Sequence, residues 1–130
     1  MKFIILNLAL AIALCNPTVA QQEIRTVPAD QFSSILDSLS NYQLIDVRTA
    51  SEFEQGHIHR AVQFDIKNEH FDDQIALLDP NRPVLLYCRS GKRSYQAAER
   101  LRERGFRNII NLDGGIVAWE NSGHPIDRGE

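Results

Sequence analysis

Cys88 is the residue of this chain best placed for covalent chemistry. It opens the run Cys88-Arg89-Ser90-Gly91-Lys92-Arg93-Ser94. An apolar stretch precedes the run and a helical pattern follows it, so the cysteine should lie where a strand ends and a helix begins. A helix start presents free backbone N–H groups and partial positive charge. Both favour a thiolate over a thiol, and a cysteine titrating near ~8.5 in water is lowered by one or more units at such positions. Three cations, Arg89, Lys92 and Arg93, share the loop. Cations at a helix N-terminus oppose its dipole, so the local rule is broken and function is the natural reason. An anion bound in the loop would resolve the conflict. Gly91 would let the backbone turn tightly and approach that anion. The plainer reading is that a cysteine at a strand end is a small buried hydrophobe and the cations a solvated cluster. The loop, its three cations and the following helix together favour a nucleophile.

Cysteine usage sharpens the point. The chain has two cysteines, Cys15 and Cys88. Cys15 falls in a segment with the layout of a secretory leader: Lys2, an apolar run from Phe3 to Cys15 interrupted by Asn7, then Pro17 and the small residues Thr18-Val19-Ala20. The run is too short to span a bilayer core as a helix. Cleavage is expected after Ala20, giving a leader of residues 1–20 and one domain of residues 21–130. A lipid anchor on Cys15 is disfavoured by Leu14, where lipoprotein signals carry a small residue. Cys88 is then a lone thiol in a secreted chain, buried and inert, paired with another chain, or chemically employed. The expected location is outside the cytoplasm, in a bacterial periplasm, with no stable membrane association after cleavage.

The elements that must position Cys88 alternate in type. Glu23 to Val27 reads as a strand. From Pro28 a helix carries Phe32, Ile35, Leu36 and Leu39 on one face and closes at Asn41. Tyr42 to Val47 fits a buried strand. Thr49 and Glu52 match a capping box, and the helix they start stops at Gly56. Ala61 to Phe64 is extended, Phe71 to Leu78 helical. Pro83 to Tyr87 is the clearest strand, its contiguous apolar residues fitting a strand covered on both faces. A helix follows from about Ser94 to Arg104, with Gly105 and Phe106 as its stop. Asn108 to Leu112 is the last strand, and Asp113-Gly114-Gly115 turns into a final helix through Ile116 and Trp119. Alternation of this kind implies an α/β fold, a mostly parallel sheet of about five strands with helices on both faces. Ligands of such sheets sit outside the carboxyl ends of the strands, where Cys88 lies.

Taken in order, Ile45-Asp46-Val47-Arg48, Glu52-Phe53, Gly56-His57-Ile58, Tyr87 to Ser94, and Leu112-Asp113-Gly114-Gly115 with Trp119 resemble a rhodanese-like domain over nearly all of Glu23 to Pro125. Arg60-Ala61 and Gln63 depart from the usual Gly-Ala and Asn, away from the reacting loop. The resemblance implies the three-layer rhodanese-like fold and a thiosulfate sulfurtransferase. Cys88 would take a sulfane sulfur from a small anionic donor such as thiosulfate and hold it as a persulfide. A thiol or cyanide would remove it. The backbone N–H groups of residues 89–93, with Arg89, Ser90, Gly91, Lys92 and Arg93 as the binding loop, would cradle the anion, and neither metal nor organic cofactor is required. Asp46, Arg48 and Glu52 are read as a structural charge network at the strand-to-helix corner.

Other chemistries fit parts of the same sequence. A cysteine phosphatase or arsenate reductase on the same fold resembles Cys-x5-Arg. Here Ser94 stands in the arginine's place and the loop has six residues, which in this family accompanies sulfur transfer. A non-catalytic binding module is the second alternative. Thiol–disulfide exchange lacks a second thiol. Metal binding lacks a ligand set: His57 and His59 are close in sequence, His70 and His124 isolated. The whole chain carries a net charge of −3, and −4 once Lys2 leaves. Nucleic acid is therefore not an expected partner. With 43% hydrophobic and 24% charged residues, the body is globular rather than disordered.

Overall fold

The strand leading to Cys88 alternates its side chains between two cores. Val84, Leu86 and Cys88 point into one apolar cluster, Leu85 and Tyr87 into the other, as the two-residue period of a strand requires. The computed structural model describes Lys2 and residues 23–129. Apart from Lys2, the expected leader and its cleavage point lie outside the described residues.

The elements run β1 (Ile24–Val27), α1 (Ala29–Ser38), β2 (Gln43–Asp46), α2 (Ala50–Gln55), β3 (Val62–Gln63), α3 (Phe71–Ile75), β4 (Val84–Tyr87), α4 (Lys92–Glu103), β5 (Ile109–Leu112) and α5 (Gly115–Asn121). The five strands form one sheet in the order β1-β5-β4-β2-β3. Every pairing is parallel, so all carboxyl ends lie along one edge. β2, β4 and β5 are buried at every residue; β4 is the continuous apolar run expected of such a strand, while β2 and β5 also bury the polar Gln43, Asp46 and Asn111.

Helices cover both faces. Phe32 of α1 and Trp119 of α5 meet edge to face, with ring centroids 6.2 Å apart, over Leu85, Tyr87, Ile110 and Leu112. Phe71 and Ile75 of α3 and Ala97, Ala98 and Leu101 of α4 pack on the opposite face, over Ile45, Val84, Leu86 and Ile109. The expected three-layer α/β architecture is present.

α1 ends at Ser38, short of Leu39 and Asn41, and β3 is limited to Val62–Gln63; α4 and α3 also depart from the sequence reading. α4 begins at Lys92, two residues before Ser94, because Gly91 takes a left-handed conformation (φ 102°) and completes the turn early. Lys92 and Arg93 therefore belong to the first helical turn. α3 is shorter than expected. Leu77 and Leu78 bond back to Gln74 and Ile75 in tighter three-residue turns, since Pro80 disfavours helix in the residue before it.

Candidate active site

Three carboxyl ends of the sheet converge here: Asp46 of β2, Tyr87 of β4 and Leu112 of β5. Cys88 follows Tyr87 directly, is 1% exposed, and is the free cysteine of the described residues. Its Sγ accepts a hydrogen bond from the Gly91 amide at 3.0 Å and one from the Ser94 hydroxyl at 3.3 Å. Burial pushes the thiol up. The Ser94 hydroxyl, with the backbone amides of Ser94, Gly91 and Ser90, more than offsets this, so the pKa falls below its usual value. Donors that stabilise the charged form act in this direction.

The loop conformation is fixed from three sides. The Gly91 carbonyl accepts from the amide of buried Asn111 at 3.4 Å and lies 3.2 Å from the Ser94 hydroxyl, whose single proton it shares with Cys88 Sγ. The amides of Ile116 and Val117 at the start of α5 donate to the carbonyls of Cys88 and Arg89, at 2.9 and 3.2 Å. Gly115 has φ 59°, and a Cβ there would lie 2.4 Å from the Arg89 carbonyl and 2.5 Å from the Cys88 oxygen. The Asp113-Gly114-Gly115 turn is thus the backing of the reactive loop, and only glycine fits its closest point.

The charged groups divide into two pairs. Asp46, fully buried, holds the Arg48 guanidinium through Nε and Nη2, at 2.7 to 3.1 Å. Arg48 also donates to the Gly56 carbonyl at 2.7 Å and lies over the Tyr87 ring. The Tyr87 hydroxyl accepts from the Ile58 amide, and burial followed by the nearby Asp46 charge raises its pKa. This pair ties the end of β2 to the end of α2, and no free charge remains at it.

Glu52 belongs elsewhere. It completes the capping box with Thr49 and grips Arg93 with both oxygens, at 2.8 and 2.9 Å. The Arg93 guanidinium, foremost by hydrogen bonding, brings the carboxyl to about 2. A carboxylate from α2 therefore answers one of the cations at the start of α4, which has no acid in its own first turn.

Of the residues expected to form the loop site, Cys88, Ser90 and Gly91 are brought together at the sulfur. Arg89 and Lys92 are exposed and form no ion pair among the described residues, while Arg93 is occupied by Glu52. Sequence reasoning did not assign Ser94 a role at the sulfur, nor Asn111 one behind the loop. For Ser94 the available signal was a hydroxyl residue six places after the cysteine. Among the histidines, His57 stacks on Phe53, His59 pairs with Asp127 and His124 with Asp30. Among the described residues no three His, Cys, Asp or Glu side chains are grouped to hold a metal.

Known proteins share this frame. A protein named sulfurtransferase from Allochromatium vinosum is 35% identical over 103 residues, covering 79% of this chain and 94% of its own length. One named thiosulfate sulfurtransferase 18 from Arabidopsis thaliana is 33% identical, covering 84% of this chain and 88% of its own length. The solution structure of a rhodanese-like domain from an Anabaena protein superposes with a TM-score of 0.71 at 28% identity, over 79% of this chain and 78% of that one. The family profile described as "Rhodanese-like domain" matches residues 29–122, the segment that contains every strand but β1 and the whole Cys88 loop, and the chain belongs to that family.

Proposed function

We propose that the protein is a sulfurtransferase that carries sulfane sulfur on Cys88, with thiosulfate or a similar anion as donor and a thiol or cyanide as acceptor. The observation that carries the reading is the pair of hydrogen bonds from the Gly91 amide and the Ser94 hydroxyl to the Cys88 sulfur. Relatives named sulfurtransferase and thiosulfate sulfurtransferase add to it.

In the first half-reaction the Cys88 thiolate attacks the outer sulfur of thiosulfate. A new S–S bond forms, the S–S bond of thiosulfate breaks, and sulfite leaves with the electron pair. The amides and hydroxyl that now face Sγ are positioned to hold the negative charge of the persulfide. Arg89 and Lys92, the two loop cations outside ion pairs among the described residues, attract the dianion and support departing sulfite. In the second half-reaction the acceptor attacks the terminal sulfur and the Cys88 thiolate is restored. Two such steps give ping-pong kinetics. The layout of residues 1–20 supports action outside the cytoplasm, in a bacterial periplasm.

Ser94 is a hydroxyl donor to the sulfur, where phosphatase-like relatives would place an arginine. Steady-state rates over a grid of thiosulfate and cyanide concentrations should give parallel double-reciprocal lines, with no turnover of an aryl phosphate. Intersecting lines, or phosphatase turnover with no sulfur transfer, would count against the reading.

A further inference from the structure

Beside the loop lies a cavity of about 410 Å³, at the small end of the range for ligand sites. It meets the reactive loop at Arg89, the residue next to Cys88, and its lining includes Glu52, the partner of Arg93. Part of its lining, Ile126 and Arg128, comes from residues 125–129, beyond the segment that matches the family. This strap is tied down at several points. The Trp119 indole donates to the Pro125 carbonyl at 2.8 Å, His57 and Asp127 exchange backbone hydrogen bonds at 2.8 and 2.7 Å, and the Gly129 amide donates to the Glu54 carbonyl at 3.2 Å. Ile126 and Arg128 are thereby fixed as lining.

The charges in the cavity are unequal in use. Arg48 and Glu52 are committed to Asp46 and Arg93. Arg89, Arg128 and Glu120 form no ion pair among the described residues; Arg128 reaches only the Gln55 carbonyl, at 3.3 Å. Two guanidinium forks without a carboxylate, against one acid, select an anion, and a carboxylate is the planar group that such forks bind best. Val117 and Ile126 offer apolar contact beside them.

We infer that this cavity is the acceptor subsite and that it takes a small thiol bearing a carboxylate, held by Arg128 and Arg89. The inference rests on Cys88 as the sulfur carrier and adds the acceptor's class. Arg128 is a specificity-determining residue, and Glu120 weakens the affinity for carboxylates in the same space.

Two ratios, measured in the full chain, test this. The first is the rate of Cys88 alkylation by iodoacetate over that by iodoacetamide, which needs no sulfur transfer. The second is the rate at which 3-mercaptopropionate, over 2-mercaptoethanol, removes sulfur from thiosulfate-loaded protein. Arg128→Gln should lower both ratios about three- to fivefold, the size of one exposed charge-assisted contact. Glu120→Gln, which leaves the strap's anchors alone, should raise both. Ratios unchanged in both variants would overturn the subsite. Slower loading from thiosulfate in Arg128→Gln, with the thiol ratio unchanged, would assign the cavity to the donor and overturn it equally. If wild-type protein takes up no sulfur while the alkylation ratio still shifts, the sulfur-carrier reading fails and the acceptor assignment with it, leaving only a carboxylate site.

Discussion

Arg93 and Glu52, 41 residues apart in sequence, meet through two parallel hydrogen bonds of 2.8 and 2.9 Å. The contact joins the first turn of α4, beside the reactive cysteine, to the first turn of α2. It turns one of three loop cations from an anion-binding group into a brace.

The brace has a pH signature. The Glu52 carboxyl falls from 4.5 to about 2 in the folded chain, so the folded state binds that proton less readily than the unfolded one. The pair's contribution to stability is complete above about pH 4.5 and is lost as the pH falls towards about 2. Glu52→Gln should cost about 1 kcal/mol at pH 7, as a partly exposed ion pair does, and much less near pH 2. Urea unfolding of both proteins at pH 7 and in acid measures the difference. An equal cost at both values would show that the ion pair contributes nothing.

Ser94→Ala should raise the pKa of Cys88, because the hydroxyl at 3.3 Å is the first of the groups that offset burial. The rate of alkylation by iodoacetamide against pH reads this directly. Its inflection should move upward in the variant, and more of the thiol will be protonated at neutral pH. An unmoved inflection would leave the amides as the sole support of the thiolate.

Gly115→Ala should be among the most damaging single changes in the fold. Its methyl would fall 2.4 Å from the Arg89 carbonyl, and its φ of 59° disfavours a side chain. A loss of about 2 kcal/mol or more follows from overpacking and backbone strain, seen in thermal unfolding. The loop must move as well, so activity in the surviving folded fraction should fall.

Lys92→Gln and Arg93→Gln should separate. Lys92 is exposed and forms no ion pair among the described residues. Its loss should raise the KM for thiosulfate about threefold while changing stability by less than about 0.5 kcal/mol. Arg93→Gln leaves Glu52 without its partner and should lower stability by about 1 kcal/mol. Steady-state kinetics with parallel unfolding curves distinguish the two, and equal effects on both quantities would contradict the division of labour.

Much of this was legible in the residues. Alternation of apolar strands with helical patterns implied the parallel sheet, and Thr49 with Glu52 spelled a capping box that the structure contains. Cys88 was readable because it follows the most apolar strand and precedes three cations. What could not be read were contacts made across the sheet's carboxyl edge. Glu52 has a complete local role in its capping box, so nothing in its sequence neighbourhood points to Arg93. Asn111 sits inside a strand, and only the parallel pairing of β5 with β4 brings it under the Gly91 carbonyl. Gly114-Gly115 reads as a turn; its role as backing for Cys88 and Arg89 depends on α5 donating two amides to that loop. α4 began early for a similar reason, since the conformation of Gly91 is set by groups remote in sequence.

The most direct measurement is the intact mass of the purified protein before and after thiosulfate, with Cys88→Ser alongside. Sulfur transfer through Cys88 requires a gain of one sulfur atom that cyanide removes and that the variant never shows. A protein whose reduced, reactive Cys88 gains no mass, or a variant that gains it equally, would contradict the account.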